Sequence, residues 1–287
     1  MKIKADWKTY LRDLRLRELD RIFHACPQGC FDRVLELGAG DGIQSRGLAA
    51  YAAEVLAIDQ NPRRLPKGEQ GGVRFQIGDV EEIDRICPEG GFDLIFSSNL
   101  LEHIPERERL LRKLRRLLKD HGVMIHVVPN AFLKGSWLGL FHLNLAVELL
   151  EVLTRPGGWR KVYRKVVKKV VKEGLHTVEE DRDTNNPKGP PRTFVQRYLW
   201  PAPHGAYASH GEEWRAYRDS RWRRLFEESG LEVFRVLKMP VVSGYGFGWN
   251  RARRLLEKAG FSSSYAYVLF KTGQDSPYRR YWEQEAT

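Results

Sequence analysis

Short apolar segments alternate with helical ones between residues 34 and 128, and this alternation limits the possible folds more than any other feature. Five apolar segments have the length of buried strands: 34–37, 55–59, 73–77, 92–96 and 123–128. A helical stretch from about Glu106 to Leu118, with leucines on one face, separates the last two. Strands that alternate with helices predict an α/β fold, with a parallel sheet covered by helices on both faces.

The first predicted strand runs into the glycine-rich turn Glu36-Leu37-Gly38-Ala39-Gly40-Asp41-Gly42. Glycines at such a turn let the backbone approach a ligand closely, and the helix behind it offers free N–H groups. A dinucleotide-binding fingerprint would need a third glycine three residues after Gly40, where Ile43 stands. The turn therefore indicates a ligand site, but not a dinucleotide site.

Acidic residues follow the next two predicted strands. Asp59 ends the second strand, where a carboxylate can accept hydrogen bonds from both ribose hydroxyls and repels a 2′-phosphate. Asp79 follows the third strand, where it can accept from an adenine amino group. Together with Glu36, these acids favour an adenosine without phosphates. In the alternative interpretation, each acid only caps local backbone donors.

At these residues the chain resembles the class I S-adenosylmethionine-dependent methyltransferases, especially those with the methyltransferase type 11 pattern. The resemblance covers residues 34–128 and rests on Glu36 to Gly42, Asp59, Gly78-Asp79-Val80 and Phe92 to Ile104. It implies a Rossmann-like sheet of seven strands whose last strand, here Ser264 to Phe270, is antiparallel. It also implies S-adenosylmethionine as the cofactor. The long segment after the fifth strand predicts a helical insertion in addition to this sheet.

The resemblance further implies a role for each motif residue. Gly38 and Gly40 would contact the methionine part, Asp59 the ribose and Asp79 the adenine. The Val80 backbone N–H would bind the ring, and Ser97 would lie beside the sulfonium. The whole implied cofactor site consists of Glu36, Gly38, Ala39, Gly40, Asp59, Gln60, Asp79, Val80, Ser97 and Asn99.

The pattern along the chain predicts five regions. These are an N-terminal helical cap (1–30), the cofactor-binding core (31–130), a helical and loop insertion (131–209), the C-terminal part of the core sheet (210–275) and a tail (276–287). The cap would hold an amphipathic helix over 6–25 with Arg12, Arg15 and Arg21 on its surface. The C-terminal part would hold a helix around 212–228 and a strand over 231–237. Pro62 interrupts the short link after Asp59. The sequence therefore does not decide whether a helix follows the second strand.

No metal is predicted. In ubiquinone-type O-methyltransferases of this class, Glu-x-x-Glu-His at the place of Glu102-His103 is associated with a divalent ion. Asn99 replaces the first acid here, and a neutral amide weakens a hard-cation site. Cys26 and Cys30 lack a second Cys/His pair at zinc spacing.

The insertion carries much of the basic charge of a chain whose formal net charge is +11. In residues 159–172, valines and aromatic residues recur at helical spacing, and Lys and Arg occupy the opposite face. This pattern is typical of a helix on an anionic membrane. The alternative is a helical pair, formed with 131–153, whose apolar faces pack on the core. An RNA surface is less favoured, because no RNA-binding module is recognisable.

Methyl transfer to a hydroxyl requires removal of a proton, a task that suits a neutral histidine. The candidates are His204, His210 and His103, and His126 and Asn130 are further ones. We therefore predict O-methylation of a small-molecule, sugar or lipid-linked acceptor. An RNA or protein methyltransferase and a non-catalytic S-adenosylmethionine-binding subunit remain alternatives.

Three cysteines, a charged N-terminus without an apolar signal segment, and no spanning stretch predict a cytoplasmic protein, with peripheral membrane contact as an option. The sequence predicts no oligomeric state.

Overall fold

The computed structural model of the chain describes residues 6–154, 203–204, 207–242, 247 and 249–283. The predicted basic helix 159–172 and almost all of the insertion's second half lie outside these residues. His204 and His210 lie within them.

The described residues form an α/β sheet fold. Its strands are β1 (Phe31–Leu37), β2 (Ala52–Asp59), β3 (Glu69–Gln70), β4 (Val73–Ile77), β5 (Phe92–Ser98), β6 (Leu118–Pro129), β7 (Leu231–Lys238) and β8 (Ser264–Lys271). Its helices are α1 (Trp7–Phe23), α2 (Ile43–Leu48), α3 (Ile83–Ile86), α4 (Arg107–Leu117), α5 (Ala131–Thr154), α6 (His210–Ala216), α7 (Asp219–Glu228) and α8 (Asn250–Lys258). Short 3-10 turns lie at Val80–Glu82, Leu101–His103 and Arg279–Tyr281.

The strand order is β3-β4-β2-β1-β5-β6-β8-β7. The five strands from β4 to β6 are parallel, and β8 runs antiparallel to both β6 and β7, as the resemblance implies. One strand more than the expected seven is present, because Glu69–Gln70 pairs antiparallel with β4. Gly71 and Gly72 both have positive φ and make the two-residue turn between them.

Alternate residues of each strand pack into two hydrophobic cores, one on each face of the sheet. Leu35, Leu56 and Ile95 pack with α4 and α7 on one face. Val34, Val55 and Leu94 pack with α1 and the C-terminal Trp282 on the other. The predicted helices therefore cover both faces.

The segments that carry the predicted site residues all lie at one edge of the sheet. The parallel strands all end there, β8 begins there opposite Pro129, and β7 ends there opposite Tyr265. The links that leave these strands carry the glycine turn, Asp79 and the residues after β5. In parallel α/β sheets this carboxyl edge is where ligands bind.

Several elements differ from the sequence prediction. Residues 60–68, all of which the structure describes, form turns without a helix. The helix predicted around 212–228 is two helices, because Tyr217 ends α6 and buries its ring against Tyr207. Helix α8 was not predicted, and no residue of it is buried.

Arg15 was predicted on the surface of the first helix, and this prediction was wrong. Its guanidinium donates to Glu18 (2.7 Å) and to Ser98 Oγ (2.8 Å), and so joins α1 to the end of β5. Glu18 itself is buried, and a buried carboxylate requires a charged or polar partner. The spacing of apolar residues carries no sign of that partner.

Helix α5 follows β6 directly and contacts α6. Asn130 fixes its start by accepting from the Leu133 N–H (3.1 Å) and donating to Ser262 (2.8 Å to the carbonyl oxygen). Within the part of the chain that the structure describes, no helix is both long and apolar enough to cross a membrane.

Candidate functional site

Hydrogen bonds hold the glycine turn against the end of β2. The Gly38 and Ala39 N–H groups donate to the Ile58 carbonyl oxygen at 2.8 and 3.1 Å. Asp59 accepts from the Gly40 N–H through Oδ2 (2.8 Å) and from the Asn61 N–H through Oδ1 (2.7 Å). Each carboxylate oxygen keeps a second acceptor position, so Asp59 is fixed in orientation and can still accept from a ligand.

The turn requires glycine at its last position. Gly42 has φ +72°, and a Cβ there would lie 2.7 Å from the Phe75 ring. Gly40 also has positive φ, +57°, which side chains other than glycine disfavour. The glycines therefore serve the tight turn itself as well as ligand approach.

Asp79 and Gln60 lie at the same edge and are exposed. Asp79 caps the following 3-10 turn, because its Oδ1 accepts from the Glu81 N–H (2.9 Å). The capping role that the sequence allowed is thus real, and the second carboxylate oxygen is left for a ligand. Val80 is buried directly behind it.

Glu36 lies under the glycine turn and is only 2% exposed. Its Oε2 is buried and accepts no hydrogen bond from the described residues. Burial raises the pKa of Glu36 to about 8, while the Ser45 hydroxyl and the Arg15 charge oppose this rise and the nearby Asp41 and Asp59 carboxylates add to it. An orphaned buried carboxyl oxygen calls for a donor or cation from a ligand. The cationic methionine part of S-adenosylmethionine has this chemistry, so the residues fit the cofactor.

Ser97 and His126 form a buried pair at the ends of β5 and β6. Ser97 Oγ lies 2.8 Å from His126 Nδ1, and neither side chain is exposed. Burial lowers the pKa of His126 to about 3, so its imidazole is neutral. The Phe226 ring stacks on it at 5.9 Å. His126 is therefore enclosed by protein and contacts Ser97, and its role as a base stays an untested prediction. Asn130 is committed to capping α5.

The turn after β5 leads from the cofactor residues to a histidine cluster. Asn99 has φ +53°, and its amide oxygen, turned towards Arg15, accepts from that guanidinium at 2.7 Å. Leu100 lies against the glycine turn, since a Cβ on Gly38 would be 3.2 Å from Leu100 Cδ1. His103 follows, with its N–H donating to the Leu100 carbonyl oxygen (2.9 Å). The two parts of the site therefore share one short segment.

Three side chains meet in this histidine cluster, which consists of Glu102, His103 and His204. One ligand atom of each lies within 4.8 Å of those of the other two. The His103 and His204 rings meet edge to face with centroids 4.7 Å apart, and Trp137 of α5 meets His204 at 5.1 Å. The fold thus brings together two of the three predicted catalytic histidines.

A buried ion pair holds His204 in place. Lys134 Nζ lies 2.5 Å from Glu213 Oε2, and the two side chains are 2% and 0% exposed. The same carboxylate oxygen accepts from the His204 N–H (3.0 Å) and lies 3.9 Å from His210 Nδ1. Glu213 thus binds the His204 backbone and lies near the His210 ring without a hydrogen bond to it. The sequence analysis missed Lys134 and Glu213, although Lys134 stands out as a cation within the apolar run 131–141.

The electrostatics of the cluster favour neutral imidazoles. Burial lowers the pKa of His204 to about 4, and the positive charge of Lys134 adds to the effect. Partial desolvation and the Arg107 charge lower the pKa of His103. Burial raises the pKa of Glu102 to about 7. At neutral pH both imidazoles can therefore accept a proton, and Glu102 titrates.

The same three side chains could also ligate a metal ion, because two imidazoles and a carboxylate match the protein ligands of many catalytic metal sites. The Asn99 amide contacts Arg15 and Ser98 and is not one of these three side chains. That no metal is required remains a prediction.

A family model for the methyltransferase domain matches residues 35–126. The matched residues contain the glycine turn, Asp59, Asp79 and Glu102-His103. They form a class I, S-adenosylmethionine-dependent methyltransferase domain. S-adenosylmethionine is therefore the cofactor of this domain, as the resemblance implied.

Curated relatives match part of the chain. A trans-aconitate 2-methyltransferase of Deinococcus radiodurans is 33% identical over 140 residues, 47% of this chain and 50% of the relative. A ubiquinone biosynthesis O-methyltransferase of Xanthomonas euvesicatoria is 35% identical over 110 residues, 35% of this chain and 46% of the relative. The chain thus spans about half the length of the curated relatives it matches.

One solved structure extends the likeness beyond the domain. It is the complex between the Haloferax volcanii Trm112 methyltransferase activator and a protein described as a methyltransferase. The match has a TM-score of 0.51 and 12% identity, and covers 94% of this chain and 97% of that one. At this identity the likeness concerns the fold alone.

Proposed function

We propose that the protein transfers a methyl group from S-adenosylmethionine to a hydroxyl of a small-molecule, sugar or lipid-linked acceptor. The observation that carries this proposal is the histidine cluster. It offers neutral imidazoles next to the segment that contacts the glycine turn. A hydroxyl must lose its proton on methylation, and the cluster supplies groups that can take it.

The cofactor residues would divide the ligand among them. Asp59, oriented by two backbone N–H groups, would accept from the ribose, and Asp79 would face the adenine. The orphaned Glu36 oxygen would take the ammonium group of the methionine part. When bound, S-adenosylmethionine supplies an electrophilic methyl group on a sulfonium centre.

The acceptor hydroxyl would lie against His103 and His204, and the imidazole that faces it would take its proton. The low pKa of His204 keeps the ring unprotonated but makes it a weak base. Glu102 has a pKa of about 7, which matches neutral pH better. We therefore place the proton finally on Glu102 within the cluster. The curated relatives include O-methyltransferases by name, which supports an oxygen nucleophile.

Labelled S-adenosylmethionine and fractionated cell extract would identify the acceptor class. We expect label in the small-molecule, glycan or lipid fraction. Label in RNA or protein would contradict the proposal. Measurable cofactor binding without label in any fraction would favour a non-catalytic S-adenosylmethionine-binding subunit instead.

Variants of the cluster test the assigned base. His204→Ala and Glu102→Gln should each lower kcat about 100-fold, the scale of general-base catalysis, and leave cofactor affinity unchanged. His24→Ala, on an exposed histidine at the end of α1, is the matched control and should leave kcat unchanged. Unchanged turnover in both cluster variants would show that the proton leaves by another route.

A further inference from the structure

Helix α8 turns its charged residues towards the protein. Arg253 donates to the Tyr10 hydroxyl (2.8 Å), and its guanidinium lies 4.7 Å from the centroid of that ring. Glu257, one turn later, accepts from Arg17 (2.7 Å) and from the Val241 N–H (2.9 Å). The contacts that attach α8 to α1 are therefore polar, which reverses the usual orientation of a surface helix.

The apolar residues of α8 face outward as a consequence. Ala252, Leu255, Leu256 and Ala259 follow i, i+3, i+4, i+7 spacing and are all exposed. Leu255 is 67% exposed and Leu256 37%. Trp249 precedes the helix at 43% exposure and Phe261 follows it at 46%. Such a contiguous apolar stripe with aromatic rings at both ends indicates a binding surface.

Basic residues lie along one side of this stripe. Arg251, Arg254 and Lys258 recur at i, i+3, i+7 beside it and are exposed. The one acid of the helix, Glu257, points inward to Arg17 and Arg21. We use the term outer face of α8 for the set Trp249, Arg251, Arg254, Leu255, Leu256, Lys258 and Phe261. All charged side chains in this set are positive.

The outer face lies at the functional edge of the sheet. Helix α8 connects the end of β7 to the start of β8, both of which are at the carboxyl edge. Phe261 also contacts Phe132 at the start of α5, with ring centroids 5.2 Å apart. A surface that docks through α8 would therefore lie on the side of the protein where ligands enter.

We propose that the outer face of α8 docks on an anionic phospholipid bilayer. An apolar stripe with cations along one side of it matches a helix lying in the interface, with leucines among the acyl chains and arginines at the phosphates. Tryptophan is favoured at that depth. The proposal goes beyond the methyl transfer proposed above and does not rest on it, because vesicle binding is measured without an acceptor.

Flotation of the full chain with vesicles tests the proposal. We expect binding to vesicles of phosphatidylcholine with phosphatidylglycerol, and little binding to phosphatidylcholine alone. Raising the salt to 1 M, where the Debye length falls to about 3 Å, should weaken the binding. Leu255→Ser combined with Leu256→Ser should weaken it about tenfold or more, since each leucine loses buried apolar area.

Charge reversal provides the matched comparison. Arg251→Glu, Arg254→Glu and Lys258→Glu together should reduce binding at least about 100-fold. The control reverses Arg112, Arg116 and Arg224 to Glu. These exposed arginines of α4 and α7 lie on the other face of the sheet, and the change in net charge is the same. The control should bind within a few-fold of the wild type.

Three results would overturn the proposal. Equal losses in both charge-reversal variants would mean that net charge, not the outer face, attracts the vesicles. Wild-type binding by the leucine variant would place the contact elsewhere in the chain. The third result combines two observations: the wild type binds no vesicles, and analytical ultracentrifugation shows an oligomer that the leucine variant converts to a monomer. Together they would identify the outer face as a protein interface.

Discussion

The cofactor half and the acceptor half of the site are built in different ways. Around Asp59, backbone N–H groups donate to one carboxylate, from Asn61 at a separation of 2 residues and from Gly40 at a separation of 19. Around His204, the contacts join side chains of distant segments, such as Lys134 and Glu213, which are 79 residues apart. Backbone groups of adjoining strand ends therefore shape the first half, and buried side chains of distant segments shape the second.

The difference shows which half should tolerate change. A turn made of backbone hydrogen bonds persists when one side chain is altered, because its other bonds remain. A buried ion pair loses its compensation when either partner is removed. Side-chain replacement should therefore cost more stability at the buried ion pair than at the glycine turn.

Lys134→Met should cost the most stability. It leaves Glu213 buried without a cation, and losses of about 3–5 kcal/mol in the free energy of unfolding are typical of such changes. Lys134→Met with Glu213→Leu should recover a large part of that loss. Chemical denaturation measures both, and Arg85→Met, which breaks an exposed pair with Glu82, is the control at under about 1 kcal/mol. If Lys134→Met lowered the free energy of unfolding no more than Arg85→Met does, the buried ion pair would not be the more sensitive part of the site.

Asp59→Ala should weaken S-adenosylmethionine binding by about 1.5–3 kcal/mol, the scale of hydrogen bonds to a charged group. Calorimetry gives the affinity, and Asp120→Ala, at the opposite edge of the sheet, is the control. Unchanged affinity in the folded Asp59 variant would refute the ribose assignment.

The two halves should respond to pH in opposite directions. The pKa of His204 is about 4 in the folded protein and ordinarily 6.5, so the unfolded chain gains the proton first and stability falls as pH drops from 6.5 to 4. The pKa of Glu36 is about 8 instead of 4.5, so its contribution is full below pH 4.5 and is lost as pH rises to 8.

Unfolding of the cofactor-free protein at a series of pH values separates these effects. His204→Gln should flatten the acidic side of the profile and Glu36→Gln the alkaline side. Each change should be on the order of 1 kcal/mol or more, since one pKa unit corresponds to about 1.4 kcal/mol. Identical profiles in wild type and variants would contradict the burial that we assign to both groups.

Treatment with EDTA should have the smallest effect, namely none on turnover. The amide of Asn99 replaces an acid of the ubiquinone-type motif, and the histidine cluster acts through proton transfer in our proposal. Loss of activity that a divalent ion restores would instead assign Glu102, His103 and His204 to metal binding.

The sequence predicted most of the cofactor half, because its signals are local. A strand, a glycine turn and an acid at the next strand end belong to one α/β unit. Their spacing in the sequence therefore predicts that they lie side by side at the carboxyl ends of neighbouring strands. The same reasoning placed β1, β2, β4, β5 and β6 within a few residues of their observed bounds. It failed for Arg15, since its partner Ser98 lies at the end of β5, 83 residues away.

The sequence could name His103 and His204 only as separate candidates. The contact between their rings depends on how α5 and α6 pack at the end of β6, and no periodicity reports that packing. Helix α8 escaped prediction for a related reason. Its polar residues face inward, so its pattern taken alone gives the wrong side as buried.

The order of the site residues along the chain could be taken from the sequence alone: the glycine turn, Asp59, Asp79 and then Glu102-His103, each at the end of a local element. The contacts of Glu213 with Lys134 and with the His204 backbone, and the outward leucines of α8, follow from tertiary packing. Backbone conformation is set largely by neighbours along the chain. Burial and pKa depend on which distant segments exclude water from a side chain.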